Sequence, residues 1–214
     1  MKQYITAIAV AAVLVAAKSA MGNATPIING QTVSPVPAAS VAAGATQLAT
    51  ETTKLVKTST GTKFPAGTIQ SWVYSGDANN PFAGGLTFVY QINISAASTT
   101  FADSFADSAD WAGFLTDVGS KKTGVQINPA SANRDSDILT WVFSPTHVTA
   151  GKSSALLIVE TNAKKYQNDA FNVHDGGTSS ADAYVPLAVP DGGLTVALLG
   201  GALIGLGAIR RKLS

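Results

Sequence analysis

Hydrophobic and polar residues alternate along the middle of the chain, in short runs separated by turn residues. The clearest run is Leu86–Ile94, in which every second residue is large and apolar. A period of two places these large side chains on one face of a strand. The run Ala155–Glu160 is almost wholly apolar, as is typical of a central strand that is covered on both faces. The pattern therefore predicts a protein that is built from strands.

Further strands are expected wherever similar runs lie between turn signals. These runs are Thr46–Lys57, Thr68–Tyr74, Trp111–Val118, Val125–Ile127, Ile138–Phe143, Phe171–Val173 and Ala183–Leu187. Few helical periodicities compete with them, so the predicted fold class is all-β, an antiparallel β-sandwich of jelly-roll or immunoglobulin-like type. Residues 46–188 would form this domain, and residues 25–45, rich in Pro, Ala and Ser, would form an extended linker with little to anchor it. Three tryptophans lie in the strand patterns and are expected to anchor the core: Trp72, Trp111 and Trp141.

Residues 1–24 have the three parts of a secretory signal peptide. Lys2 supplies a positive charge, Ile5–Ala17 is an apolar run, and Gly22-Asn23-Ala24 is a small-x-small cleavage site that ends at Ala24. The alternative is an uncleaved anchor helix, but the run of 13 residues is shorter than the roughly 20 that span a bilayer. The expected partners of this segment are the Sec translocon and signal peptidase.

Residues 189–214 form a second apolar terminal segment. Leu194–Ile209 is a run of 16 residues without a charge. As a helix it would be about 24 Å long, enough for a short transmembrane helix in a thinned bilayer. A plain tail anchor is an alternative interpretation. A core helix is a weaker one, because the glycines in this run disfavour a helix in water. The basic cluster Arg210, Arg211 and Lys212 follows and is expected to stay cytoplasmic, which would leave the body of the protein outside.

The order of parts in this segment is a turn motif, an apolar run and a basic cluster. The motif consists of Val189, Pro190, Asp191, Gly192 and Gly193. This order resembles the PEP-CTERM group of bacterial sorting tails, and the motif is similar to its VPDSG-CTERM variant, with Gly192 where that variant has serine. The resemblance implies recognition by an exosortase, a membrane protease or transpeptidase that would cut near the motif. A sortase signal is a weaker interpretation, because the chain has no Leu-Pro-x-Thr-Gly sequence.

The amino-acid composition excludes several classes of functional site in the body of the protein. The chain has no cysteine, which excludes disulfides and cysteine-based metal or redox sites. Residues 25–188 hold nine basic and twelve acidic side chains, so no strongly basic surface for nucleic acid is expected. The termini supply much of the hydrophobicity. An exported protein without disulfides would depend on core packing for its stability.

Candidate chemistry is sparse. The histidines His147 and His174 both follow strand patterns and are expected to be turn or surface residues. The stretch from Phe101 to Ser108 repeats Phe-Ala-Asp-Ser, and Asp110 follows it. On a helix Asp103, Asp107 and Asp110 would share a face and could attract Ca²⁺, but three carboxylates do not complete a site. A solvated turn with Phe101 and Phe105 facing inward is the preferred interpretation. No catalytic, cofactor-binding or metal-binding residue is assigned.

The leading hypothesis is therefore a non-enzymatic cell-surface or matrix protein. It would be exported across the bacterial inner membrane, held transiently by its C-terminal helix and processed by an exosortase. The alternative is a carbohydrate-binding module for extracellular polysaccharide, which would need exposed aromatic rings. The candidate rings are Trp72, Tyr74, Tyr90, Trp111 and Tyr166. A secreted hydrolase is a third hypothesis, but no Gly-x-Ser-x-Gly elbow or comparable constellation supports it.

Overall fold

The computed structural model describes residues 24–59, 64–107 and 111–188. Within these ranges the chain forms thirteen strands and no helix. The strands of the first half are β1 (Thr25–Pro26), β2 (Gln31–Val33), β3 (Thr46–Lys54), β4 (Val56–Lys57), β5 (Gly67–Ser75), β6 (Thr87–Ile94) and β7 (Ser104–Asp107). Those of the second half are β8 (Thr116–Lys121), β9 (Ser131–Asp135), β10 (Ile138–Val142), β11 (Leu156–Thr161), β12 (Tyr166–His174) and β13 (Thr178–Pro186). The predicted signal peptide before Ala24 and the segment 189–214 lie outside the described residues.

The strands form two sheets, and all their pairings are antiparallel. The first sheet has the order β1-β8-β11-β6-β5-β3, and the second has the order β2-β9-β10-β7-β12-β13-β4. The predicted all-β class with antiparallel sheets is therefore confirmed. The jelly-roll or immunoglobulin-like assignment and the division into linker and domain stay predictions.

The core lies between the two sheets. Tyr90 of the first sheet contacts Phe105, Trp141 and Phe171 of the second, with ring centroids 4.8 to 6.1 Å apart. All four rings are fully buried. The hydroxyl of Tyr90 donates to the carbonyl oxygen of Tyr184 at 2.5 Å, so the buried polar group is satisfied. Burial raises the pKa of Tyr90, which keeps the phenol neutral.

The strongest sequence patterns correspond to strands. Strand β6 buries its large residues against the second sheet as the alternation predicts. Strand β11 lies between β6 and β8, which confirms a central strand at Ala155–Glu160. Strands β5 and β10 also lie where they are expected, and the predicted loop Gly76–Pro81 lies between β5 and β6.

Three strand predictions are wrong in part. The run Thr46–Lys57 is divided at the buried residue Leu55, because β3 pairs with β5 in the first sheet and β4 pairs with β13 in the second. In Trp111–Val118 the strand begins only at Thr116, because Gly113 adopts a left-handed turn conformation with φ of 76°. Val125–Ile127 is no strand: Ile127 forms one isolated bridge with Ser154, and Val125 is 79% exposed.

The N-terminal segment, predicted as an extended linker with little to anchor it, packs against the body. It contributes β1 to the first sheet and β2 to the second. Ala39 is buried beside Gly119, where an added Cβ would lie 2.3 Å from the Ala39 methyl group. The N–H of Ala39 donates to the carbonyl of Ser120. The segment therefore covers part of the outer face of the first sheet, the face turned away from the second sheet.

Candidate functional site

The described residues place the body close to the predicted sorting motif along the chain. Strand β13 ends at Pro186, and the N–H of Leu187 donates to the carbonyl of Lys165 at 3.0 Å. Val189, the first residue of the motif, thus comes three residues after the last strand. The whole motif, Val189 to Gly193, and the cluster Arg210, Arg211 and Lys212 lie outside the described residues. The described body therefore ends only a few residues before the motif along the chain.

The predicted signal cleavage residue lies just before the first strand. Ala24 is half-buried and packs against a small apolar cluster on the outer face of the first sheet, formed by Ala39, Val89 and Ile158. Cleavage after Ala24 would leave Thr25, the first residue of β1, as the new N-terminus. The structure does not test whether this cleavage occurs, so Ala24 stays a predicted site.

The two histidines lie near the segment from Ala102 to Ser104, which pairs with Val148 on one side and with His174 on the other. Each histidine has its own contacts. His147 Nδ1 contacts Asp103 Oδ1, and the His147 ring stacks on Phe101 at a centroid distance of 4.2 Å. His174 Nδ1 lies 3.0 Å from the hydroxyl of Thr178, and desolvation lowers the pKa of His174. A hydrolase would need a nucleophile beside such a base. His147 has an aromatic ring and a carboxylate as its neighbours, whereas His174 has the Thr178 hydroxyl.

The acidic repeat does not form the predicted turn or a helical face. Residues Ser104–Asp107 form β7 between β10 and β12. Phe105 faces the core as expected, whereas Phe101 is only half-buried. Asp107 is buried and accepts a hydrogen bond from the Leu139 N–H at 3.1 Å, while Asp103 lies at the surface beside His147. Asp110 lies outside the described residues, and within them no three metal-binding side chains come together.

Of the five aromatic candidates for sugar stacking, two are buried and three are partly exposed. Tyr90 and Trp111 are fully buried, so they cannot stack on a ligand. Tyr166 is half-buried and lies edge-on to Tyr184, with centroids 5.4 Å apart. Trp72 and Tyr74 lie half-exposed on the outer face of the first sheet. The prediction that Trp72 anchors the core is wrong, because Ile69, Ser71 and Val73 are the residues of β5 that face inward.

Arg134 is a buried residue that the sequence analysis did not single out. Its guanidinium donates to the carbonyl oxygens of Trp111 and Phe114 and to the hydroxyl of Thr116. Burial lowers the pKa of Arg134, while the charges of Asp137 and Asp107 act in the opposite direction. Arg134 follows Ala132 by two positions in β9, and both face inward. The polar sequence around it gave no signal of this burial.

Comparison with known families concerns the end of the chain. The family model described as VPDSG-CTERM motif matches residues 188–213. The chain carries a PEP-CTERM-like exosortase sorting signal. The resemblance of the tail to the VPDSG-CTERM variant is therefore confirmed. Gly192 stands in place of the serine in the motif name. The VPDSG-CTERM match covers the tail and leaves the body unassigned.

No curated protein and no solved structure matches the chain. No helix of the length and apolar character needed to cross a membrane occurs among the described residues. The predicted transmembrane helix Leu194–Ile209 lies outside those residues, so it stays a prediction.

Proposed function

We propose that this chain is an exported, non-enzymatic surface protein whose body is delivered by exosortase processing at the VPDSG-CTERM motif. The observation that carries the proposal is the family match at residues 188–213. The motif implies an exosortase as partner and is consistent with export and surface localisation. In this proposal signal peptidase cuts after Ala24, the apolar run Leu194–Ile209 holds the chain in the membrane, and Arg210 to Lys212 stay in the cytoplasm.

The body supports a binding or structural role in this proposal. Its two sheets are joined by a core of large apolar side chains, and Asp107 and Arg134 form hydrogen bonds that join segments of the fold. The His147–Asp103 pair contacts the ring of Phe101, and His174 lies beside the hydroxyl of Thr178. We propose a binding or structural role for the body rather than a catalytic one.

A pair of reporter fusions tests the proposed topology. A phosphatase that is active only outside the cytoplasm would be placed after Ala188 in one fusion and after Ser214 in the other. We expect activity from the first fusion and none from the second, because the basic cluster holds the C-terminus inside. Activity after Ser214, or inactivity after Ala188 in a fusion of normal abundance, would contradict the proposal.

A carbohydrate-binding body is the second candidate function. It is favoured by the half-exposed position of Trp72 and Tyr74 on the same face of β5. This function is compatible with the first, because a surface protein that binds polysaccharide would be retained in the extracellular matrix after processing.

A further inference from the structure

The outer face of β3, β5 and β6 carries polar side chains in regular rows. The strand register places Lys54, Thr68 and Asn93 side by side in one row. The next row contains Thr52, Gln70 and Gln91. Trp72 and Tyr74 continue the same face of β5 beyond these rows. The rows and the two rings together are called the Trp72 face.

The two rings are held in place by packing. Both lie against the apolar cluster of Ala39, Val89 and Ile158, and this contact leaves each ring half-exposed. The hydroxyl of Tyr74 donates to Gln47 Oε1 at 3.3 Å, and partial burial raises its pKa. Residues two apart on a strand are separated by about 6.6 Å, so the two rings are neighbours on this face and are together called the platform. A fixed aromatic surface loses little conformational freedom when a ligand stacks on it.

The amides beside the platform are also fixed. Gln91 Nε2 donates to the carbonyl of Ser154 at 3.1 Å. Asn93 Oδ1 accepts from the hydroxyl of Ser153 at 2.6 Å. Each bond uses one end of an amide, and the opposite end has the chemistry to bind a ligand hydroxyl. Both side chains are half-buried, so they contact solvent at the surface of the sheet.

A groove lies at the end of the face away from the rings. It has a volume of about 590 Å³, and Lys54, Thr68, Asn93 and Ser95 contribute to its walls. The groove is open to solvent along the sheet, so a ligand would lie across it rather than be enclosed by it. Thr68 and Tyr74 mark the two ends of the face, and six strand steps span about 20 Å. The face therefore suits an extended ligand rather than a compact one.

The charge of the face selects the class of ligand. Lys54 is the single charged side chain in the two polar rows, whose other members are amides and hydroxyls. An anionic polymer would be attracted by a cluster of positive charges, which this face does not have. The amides of this face can bind hydroxyls, and its aromatic rings can stack on the apolar C–H faces of sugars. This combination matches a neutral pyranose chain.

We propose that the Trp72 face binds a neutral polysaccharide, with Trp72 and Tyr74 as the stacking platform and Gln70, Gln91 and Asn93 as hydroxyl ligands. The proposal deepens the second candidate function and rests on delivery of the body to the cell exterior, where such polymers occur. Binding can be measured without export. A negative binding result would therefore leave the sorting proposal standing, and a failure of sorting would leave the binding result standing.

The test is calorimetric titration of the full-length chain in detergent with three neutral probes and one anionic probe. The neutral probes are cellohexaose, mannohexaose and xylohexaose, and the anionic probe is a hexameric alginate. We expect at least one neutral probe to bind and alginate to bind more weakly. Trp72→Ala should weaken that binding about tenfold or more, and Gln70→Ala should weaken it less, because a stacking aromatic ring usually contributes more to binding than a single polar side chain.

Tyr166→Ala is the matched control, because it removes a half-buried ring of β12, in the second sheet, which lies outside the Trp72 face. It should leave affinity within about twofold of the unmodified chain. Thermal unfolding of each variant checks its fold, and Gln70→Ala gives a second readout should Trp72→Ala fail to fold. The proposal is overturned by the absence of binding to all three neutral probes, or by preference for alginate. It is also overturned by equal losses in folded Trp72→Ala and Tyr166→Ala variants, or by self-association through this face in place of sugar binding.

Discussion

Cells that produce the Pro190→Ala/Asp191→Ala variant should accumulate the unprocessed chain in their membrane fraction. Both residues lie within the VPDSG-CTERM match, ahead of the apolar run and the basic cluster. The substitutions leave that run unchanged, so membrane insertion should continue while recognition by the exosortase is lost. Release of the body should fall by about tenfold or more, the order of discrimination that loss of specific contacts gives.

Asp182→Ala is the control for this variant. Asp182 is an exposed acid of β13, four residues before the end of the last strand, and it lies outside the matched tail. Quantitative immunoblots of the membrane and external fractions would compare the two variants with the unmodified chain. Release of the motif variant at the level of the Asp182→Ala control would show that recognition does not depend on Pro190 and Asp191.

Replacement of Arg134 by methionine should cause the second large effect, a loss of stability of about 3 kcal/mol or more. The guanidinium donates to two backbone carbonyls in the turn before β8 and to Thr116 at the start of β8. Methionine fills similar space but donates no hydrogen bond, so all three acceptors would lose the charged donor. The Trp111 carbonyl would keep the Phe114 N–H, and the Phe114 carbonyl would keep the Thr116 hydroxyl. A hydrogen bond to a charged group contributes about 1.5–3 kcal/mol, and the guanidinium forms several.

Arg134→Lys gives an intermediate case, because it keeps the charge but not the planar group that reaches several acceptors together. Lys121→Met is the control, since Lys121 is exposed at the end of β8. Denaturant unfolding of the full-length chains in detergent would measure the differences. A loss below about 0.5 kcal/mol for Arg134→Met, the range of ordinary surface substitutions, would contradict this role.

The alternation of residues predicted the strands whose inward positions are apolar. Strands β6, β10 and β11 are of this kind, and the alternation or apolar run gives their burial directly. Strands β7 and β9 escaped prediction because each turns a charged residue inward, Asp107 in one and Arg134 in the other. The groups that form hydrogen bonds with these two charged side chains lie on distant segments of the chain. The local sequence therefore does not show that the charges can be buried.

The sites differ in predictability for a similar reason. The sorting signal is a linear motif, so the order of its residues was enough to recognise it. The Trp72 face depends on the register of three strands, which brings Gln70 beside Gln91. The outward position of Trp72 also depends on which face of β5 the second sheet covers. A hydrophobic residue in a strand pattern does not reveal that choice.

The mass of the intact protein released by its native host tests the central claim most directly. The account predicts a chain that begins at Thr25 and ends upstream of Leu194, together with retention of the apolar run and basic cluster in the membrane. A released or surface-bound protein that still contains Leu194 to Ser214 would contradict processing at the VPDSG-CTERM motif.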